Sequence, residues 1–154
     1  LKSSGLNAHR LELELTENAL MSNINQALGL LQRIRDLGVS ISIDDFGTGQ
    51  SSLAYLKQLP VHEVKIDRAF VKDIEHNAND ALIVKATTQL AHSLGLIVTA
   101  EGLENPAGLG QLQQCLCDKV QGYFFSRPLD ASKFSTWVKQ FPEQKQQWFG
   151  TEEQ

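Results

Sequence analysis

The chain has 154 residues, 42% of them hydrophobic, enough for one domain with a sizeable core. Its formal net charge of -4 and lack of any dense basic run argue against binding to a long nucleic acid, which requires many phosphates to be neutralised, but leave room for a small anionic ligand whose charge metal ions offset. No stretch approaches the roughly 20 apolar residues of a membrane span and no signal segment opens the chain. The two cysteines, Cys115 and Cys117, lack the second pair of a zinc site and the geometry for a mutual disulfide, which fits reduced thiols in the cytoplasm.

The first residue is Leu1 rather than Met, in what reads as the end of a helix turning at Gly5, so the chain is expected to begin inside a larger protein. Residues 10–16 alternate Leu and Glu, which predicts a strand with Leu11, Leu13 and Leu15 on one face and Glu12 and Glu14 on the other. Residues 23–37 carry Ile24, Leu28, Leu31, Ile34 and Leu37 at three- and four-residue spacings and stop before Gly38, as an amphipathic helix does. A strand over 39–44, a short helix over 52–59 closed by Pro60, and a strand over 62–67 follow. Asn79 and Asp80 are placed to cap a long helix whose Leu82, Ile83, Ala86, Leu90 and Leu94 line one side until Gly95. Residues 96–100 read as a buried parallel strand, Pro106 as the first turn of a helix reaching about Cys115, and 119–122 as a fifth strand. Asp130 caps a last helix through Lys139. Residues 142–154 are expected to form a polar, frayed tail beyond a domain of residues 1–141, with Trp148 and Phe149 available to dock. Five successive βα units without an internal repeat predict an α/β fold, a parallel sheet with helices outside it.

The strand ends carry residues that a merely structural sheet would not need: Glu14 with Glu17, Asp44 with Asp45, Lys65 with Asp67, Glu101, and Gln121. An isolated Asp-Asp-x-Gly is most simply an acidic cap for the next helix. In a parallel sheet, however, the C-terminal strand ends share one rim, where the sites of βα barrels and open α/β sheets form. The rim is rich in carboxylates, holds one lysine and has no cysteine or histidine beyond His62 at a strand start, a hard oxygen set suited to Mg²⁺ or Mn²⁺ and ill suited to zinc. Two successive carboxylates can share one metal and hold a second nearby, while Lys65 orients a water or offsets phosphate charge. The residues alone therefore point to metal-assisted phosphoryl chemistry on a barrel rim.

The run Asp44-Asp45-Phe46-Gly47-Thr48-Gly49, followed by Ser51-Ser52-Leu53, resembles the signature of the EAL family of cyclic di-GMP phosphodiesterases. Four more stretches resemble that family in order: Glu14-Leu15-Thr16-Glu17, Lys65-Ile66-Asp67 with Phe70-Val71, Ala100-Glu101-Gly102-Leu103-Glu104, and Gln121-Gly122-Tyr123-Phe124 ahead of Arg127-Pro128. The resemblance implies a TIM-type (β/α) barrel with one irregular strand, two Mg²⁺ or Mn²⁺ ions, inhibition by Ca²⁺, and hydrolysis of cyclic di-GMP to the linear dinucleotide. By position it makes Glu14 and Asp44 metal ligands, Asp45 a ligand of the second ion and of the attacking water, and Lys65 a contact of that water. It makes Glu101 a further metal-side or base-like carboxylate, and Gln121 and Pro128 neighbours of the metal-water cluster or substrate. Glu17 would brace the loop of Phe46, Gly47, Thr48 and Gly49, and Asp67 would support the ligands from one step outside.

Gln50 departs from the tyrosine usual in the family, and the Glu-Ala-Leu strand, with its metal-binding Glu and substrate-binding Arg, is expected upstream of Leu1. The chain is then a partial barrel of about five of eight βα units. Two open sheet edges would favour a homo-oligomer formed by strand pairing or swapping. GGDEF, sensory or membrane domains are possible elsewhere in the parent protein. The alternative is a catalytically inactive EAL module that senses cyclic di-GMP or binds a protein partner; such members often lose the acidic residues that this chain keeps.

Overall fold

The alternating Leu-Glu segment is realised as strand β1 (Glu12–Thr16), with the glutamates exposed and the leucines half-buried. The structure, a computed structural model, describes residues 3–49 and 53–149. After β1 come helices α1 (Glu17–Ser22) and α2 (Ile24–Asp36), strand β2 (Ser40–Phe46), helix α3 (Leu53–Leu56), strand β3 (Glu63–Ile66) and helices α4 (Arg68–Val71) and α5 (Ala78–Ser93). Strand β4 (Ile97–Glu101), helix α6 (Pro106–Gln114), strand β5 (Lys119–Gln121) and helix α7 (Ala131–Phe149) complete the order. The five strands pair in parallel as β1-β2-β3-β4-β5, an open arc of a βα barrel with β1 and β5 at its edges.

The core lies between this sheet and its helices. Ile41 and Ile43 of β2, Val64 and Ile66 of β3 and Val98 and Ala100 of β4 project outward and pack with Leu31, Val84, Ala91 and Leu112 from the helices, all within one buried cluster. Because strand side chains alternate with a period of two, the neighbouring residues Ser42, Asp44, Glu63, Lys65, Thr99 and Glu101 project to the other, inner face. Cys115 is buried and Cys117 half-buried; burial pushes the Cys117 thiol up to about 11, so both stay protonated packing residues. Among the described residues no helix is long and apolar enough to cross a membrane.

Four expectations are corrected. Helix α5 is capped by Asn77, whose side chain accepts from Asn79 N and Asp80 N, rather than by Asn79 or Asp80. Its buried stripe is Val84, Thr88 and Ala91; of the expected stripe Leu90 and Leu94 do pack against the core, half-buried, while Leu82, Ile83 and Ala86 are exposed. Leu37 is the exposed C-cap of α2 and not part of its apolar stripe. Helix α7 does not end near Lys139 or fray from Pro142. It continues through Pro142 to Phe149, because proline removes a single N–H donor and Trp148 docks against Phe124, Phe125 and Phe141 at ring separations of 5.6, 5.1 and 6.0 Å. Gln50, Ser51 and Ser52 lie outside the described residues.

Candidate active site

The two aspartates reach the rim through a break in β2. Ser42 pairs with Glu63 and Ile43 with Val64, but the next pair is Phe46 with Ile66, so Asp44 and Asp45 together stand opposite the single residue Lys65. This is a β-bulge, with Asp45 in the left-handed region at φ 54, a conformation that Asp tolerates better than most residues. The bulge also restores Phe46 to the apolar face, where it is buried.

Lys65 is the centre of the inner face at this level. Its ammonium lies 2.8 Å from Glu14 Oε1, 2.7 Å from Glu101 Oε1 and 3.6 Å from Asp44 Oδ1. Burial alone would lower its pKa, but hydrogen bonds to Glu101 and Glu14 and the charges of Glu101 and Asp44 outweigh that and raise it. Lys65 is therefore a fixed cation. Burial raises the Glu101 carboxyl in spite of Lys65, helped by the Asp44 and Glu14 charges. The Asp45 carboxyl is raised by burial, by its hydrogen bond with the Asp67 side chain and by the Asp44 charge.

The loop after the bulge is held from α1. Glu17 is 1% exposed, and its Oε2 accepts from Gly47 N at 3.0 Å, while Thr48 Oγ1 donates to Asp45 O at 2.9 Å. Gly47 sits at φ +98, with the Phe70 ring packed against it, and at Gly49 a side chain would collide with the Glu17 carboxylate. Asp67 caps α4 by accepting from Ala69 N at 2.6 Å.

Gln121 ends β5 beside Glu101, its register partner on β4. The strands are held close by main-chain contact: Gly102 N and Leu103 N donate to Gln121 O, and a side chain at Gly122 would run into the Leu103 backbone. Gln121 borders two concavities. One, of about 180 Å³, opens on the rim between Glu101, Arg68, Glu104 and Tyr123. The other, of about 810 Å³, runs between β5 and α7 and includes Pro128, which does not line the small cavity.

Arg68 and Glu104, ion-paired across the mouth of the small cavity, were not singled out as site residues from sequence. Their signal was there: each lies three residues beyond a predicted site residue, Lys65 or Glu101, shortly after its strand ends, Arg68 as the first residue of α4.

A hard divalent cation fits this donor set by chemistry, since Glu14, Asp44, Asp45, Glu101 and Gln121 offer only oxygen, besides the Gln121 amide nitrogen. Among the described residues no three acidic, imidazole or thiol side chains stand at metal-ligating spacing; the carboxylates close around the Lys65 ammonium instead.

A parallel α/β arc with its ionisable side chains on the C-terminal strand rim is the architecture of a TIM-type barrel with a rim site. The sequence profile described as "EAL domain" matches residues 1–128, and the chain belongs to that family. It is 50% identical over 141 residues to the cyclic di-GMP phosphodiesterase NbdA of Pseudomonas aeruginosa, a match covering 92% of this chain and 18% of NbdA. Among solved structures it resembles the PaMucR phosphodiesterase in its c-di-GMP complex, at TM-score 0.83 and 42% identity over 87% of this chain and 54% of that one. The Klebsiella pneumoniae BlrP1 manganese/cy-diGMP complex matches at TM-score 0.78 and 32% identity, over 83% of this chain and 33% of BlrP1. The chain thus spans about a fifth of NbdA and about half of the MucR chain.

Proposed function

We propose that this chain is the C-terminal part of a cytoplasmic catalytic domain that hydrolyses cyclic di-GMP to the linear dinucleotide with two Mg²⁺ or Mn²⁺ ions. The observation that carries the reading is the β2 bulge, which sets Asp44 and Asp45 opposite Lys65 on a rim shared with Glu14 and Glu101. The names of the relatives support the same substrate.

In this reading Glu14, Asp44 and Asp45 hold the ions, with Glu101 and Gln121 beside them. The bound ions would polarise the phosphate and lower the pKa of a water, so that no side-chain nucleophile is required. Lys65 presents a buried positive charge to the phosphodiester and orients the water's approach. Glu101, 2.7 Å from the Lys65 ammonium, holds that cation at the rim. Glu17 fixes the loop that carries Asp45, through Gly47 N. The open rim cavity beside Tyr123 and Arg68 offers space for part of the nucleotide.

The test is hydrolysis of cyclic di-GMP in Mn²⁺, by the chain alone and by a form extended upstream to the length of its relatives' barrel, with Ca²⁺ and Asp45→Asn as controls. The expected result is turnover in the extended form that falls by at least about a hundredfold in either control. Tight binding without turnover would make the domain a sensor and overturn the catalytic reading.

A further inference from the structure

Two residues before Lys65, Glu101 and Gln121, on the same face of the same strands, stand Glu63, Thr99 and Lys119. These three are joined to one another. Thr99 Oγ1 donates to Glu63 Oε1, and the Lys119 ammonium donates to Glu63 Oε2. Glu63 is 5% and Thr99 4% exposed, whereas the Lys119 side chain is 52% exposed at the open edge. Since β4 lies between β3 and β5, the Glu63–Lys119 pair crosses a strand and ties β5 to β3 over Thr99.

A carboxylate this buried is costly unless it is both paired and hydrogen-bonded, and apolar side chains of similar volume commonly fill such space at no loss of stability. Packing therefore does not account for the charge. We propose that Glu63, Thr99 and Lys119 are positioning residues, a strap one tier below the rim that fixes the spacing of β3, β4 and β5 and thereby the constellation of Lys65, Glu101 and Gln121. The proposal deepens the phosphodiesterase reading and rests on it for its functional meaning.

The strap acts in two ways. It locks three strands in the register that brings Lys65 against Glu101. It also neutralises Glu63 from below. Lys65 and Lys119 are the two cations on the inner face of the described strands, so without Lys119 the buried Glu63 carboxylate competes with Glu14 and Glu101 for Lys65. Lys119 leaves Lys65 to the rim.

The ammonium resonance of Lys65, shielded from water and held by carboxylates, reports its position in ¹H–¹⁵N spectra of this chain without metal or nucleotide; Mn²⁺ affinity, read by electron paramagnetic resonance, reports the rim carboxylates. Lys119→Met is expected to shift or broaden the Lys65 signal and weaken Mn²⁺ binding about tenfold, the usual cost of losing a supporting contact behind metal ligands. Lys119→Arg keeps both readouts, and Glu63→Gln combined with Lys119→Met recovers the Lys65 signal because no uncompensated anion remains. Glu63→Gln alone shifts the signal less, and serves if Lys119→Met does not fold. An unchanged Lys65 signal in the folded single variants overturns the proposal, as does a shift that neither the arginine nor the double variant recovers. Neither readout requires hydrolysis, so an extended form without turnover would sink the catalytic reading and leave the strap standing.

Discussion

The two faces of the same five-stranded sheet have opposite chemistry. Outward, Ile41, Ile43, Val64, Ile66, Val98 and Ala100 are each at most 1% exposed and form the core with the helices. Inward, the residues between them are Ser42, Asp44, Glu63, Lys65, Thr99 and Glu101. Stability is concentrated on one face and chemistry on the other, separated by one residue of register, so a slip of one position would bury the charges and expose the core. The bulge at Asp44 and Asp45 breaks the alternation once. By inserting a residue it sets a second carboxylate opposite Lys65 and still returns Phe46 to the outer face.

Breaking the outer face has the largest expected effect. Ile43→Ala removes three buried carbons from a side chain 1% exposed and is expected to cost about 3–4 kcal/mol in urea unfolding, with lost transfer and a cavity both contributing. A loss below about 1 kcal/mol would mean that the helices do not pack the sheet as described. On the inner face, Lys65→Met has nearly the same volume but leaves Glu14, Asp44 and Glu101 facing one another without their cation. Because Glu14 is half exposed and well screened, the expected cost is about 2 kcal/mol, below that of breaking a fully buried pair. If Lys65→Met were as stable as the parent, the carboxylates would not depend on Lys65.

The contrast between the faces was legible in the sequence only for β1, because a period of two is a local property: Leu-Glu-Leu-Glu-Leu assigns each residue to a face without any tertiary knowledge, whereas residues 62–67 and 96–100 read as strands without a division into faces. The rim residues were legible for the same reason, since strand ends follow from strands. What could not be read was whatever depends on a partner distant in sequence. The bulge exists only as a mismatch between β2 and β3, so β2 was expected to stop at Asp44, two residues short of Phe46. Glu63 with Lys119, and Trp148 with Phe125, pair across 56 and 23 positions, and nothing local to either residue marks the other. The aromatic docking also overrode the local sign of Pro142, which taken alone ends a helix.

The smallest effect expected is at the opposite end of the strands, where a charged side chain serves architecture alone. Asp118, just before β5, accepts from Val98 N at 2.7 Å and from His92 Nε2 at 2.8 Å, joining the end of α5 to the start of β4. Burial works to raise this carboxyl, but the His92 hydrogen bond, the Val98 N–H and the His92 charge hold it below its ordinary value. A carboxyl depressed in the folded state contributes stability above its unfolded pKa of about 3.9, and that contribution is lost as pH falls through the lower folded value. Asp118→Asn keeps an oxygen for Val98 N but cannot ionise. It should therefore melt lower than the parent at about pH 5–6, by roughly 1–3 °C given a half-exposed pair of at most about 1 kcal/mol, and the two melting curves should converge towards about pH 3. A gap that persisted unchanged to that pH would assign the contribution to hydrogen-bond geometry at Val98 rather than to charge. Convergence would identify a carboxylate that stabilises the chain by being ionised, in contrast to Asp45 and Glu101, which burial and neighbouring carboxylates push upward.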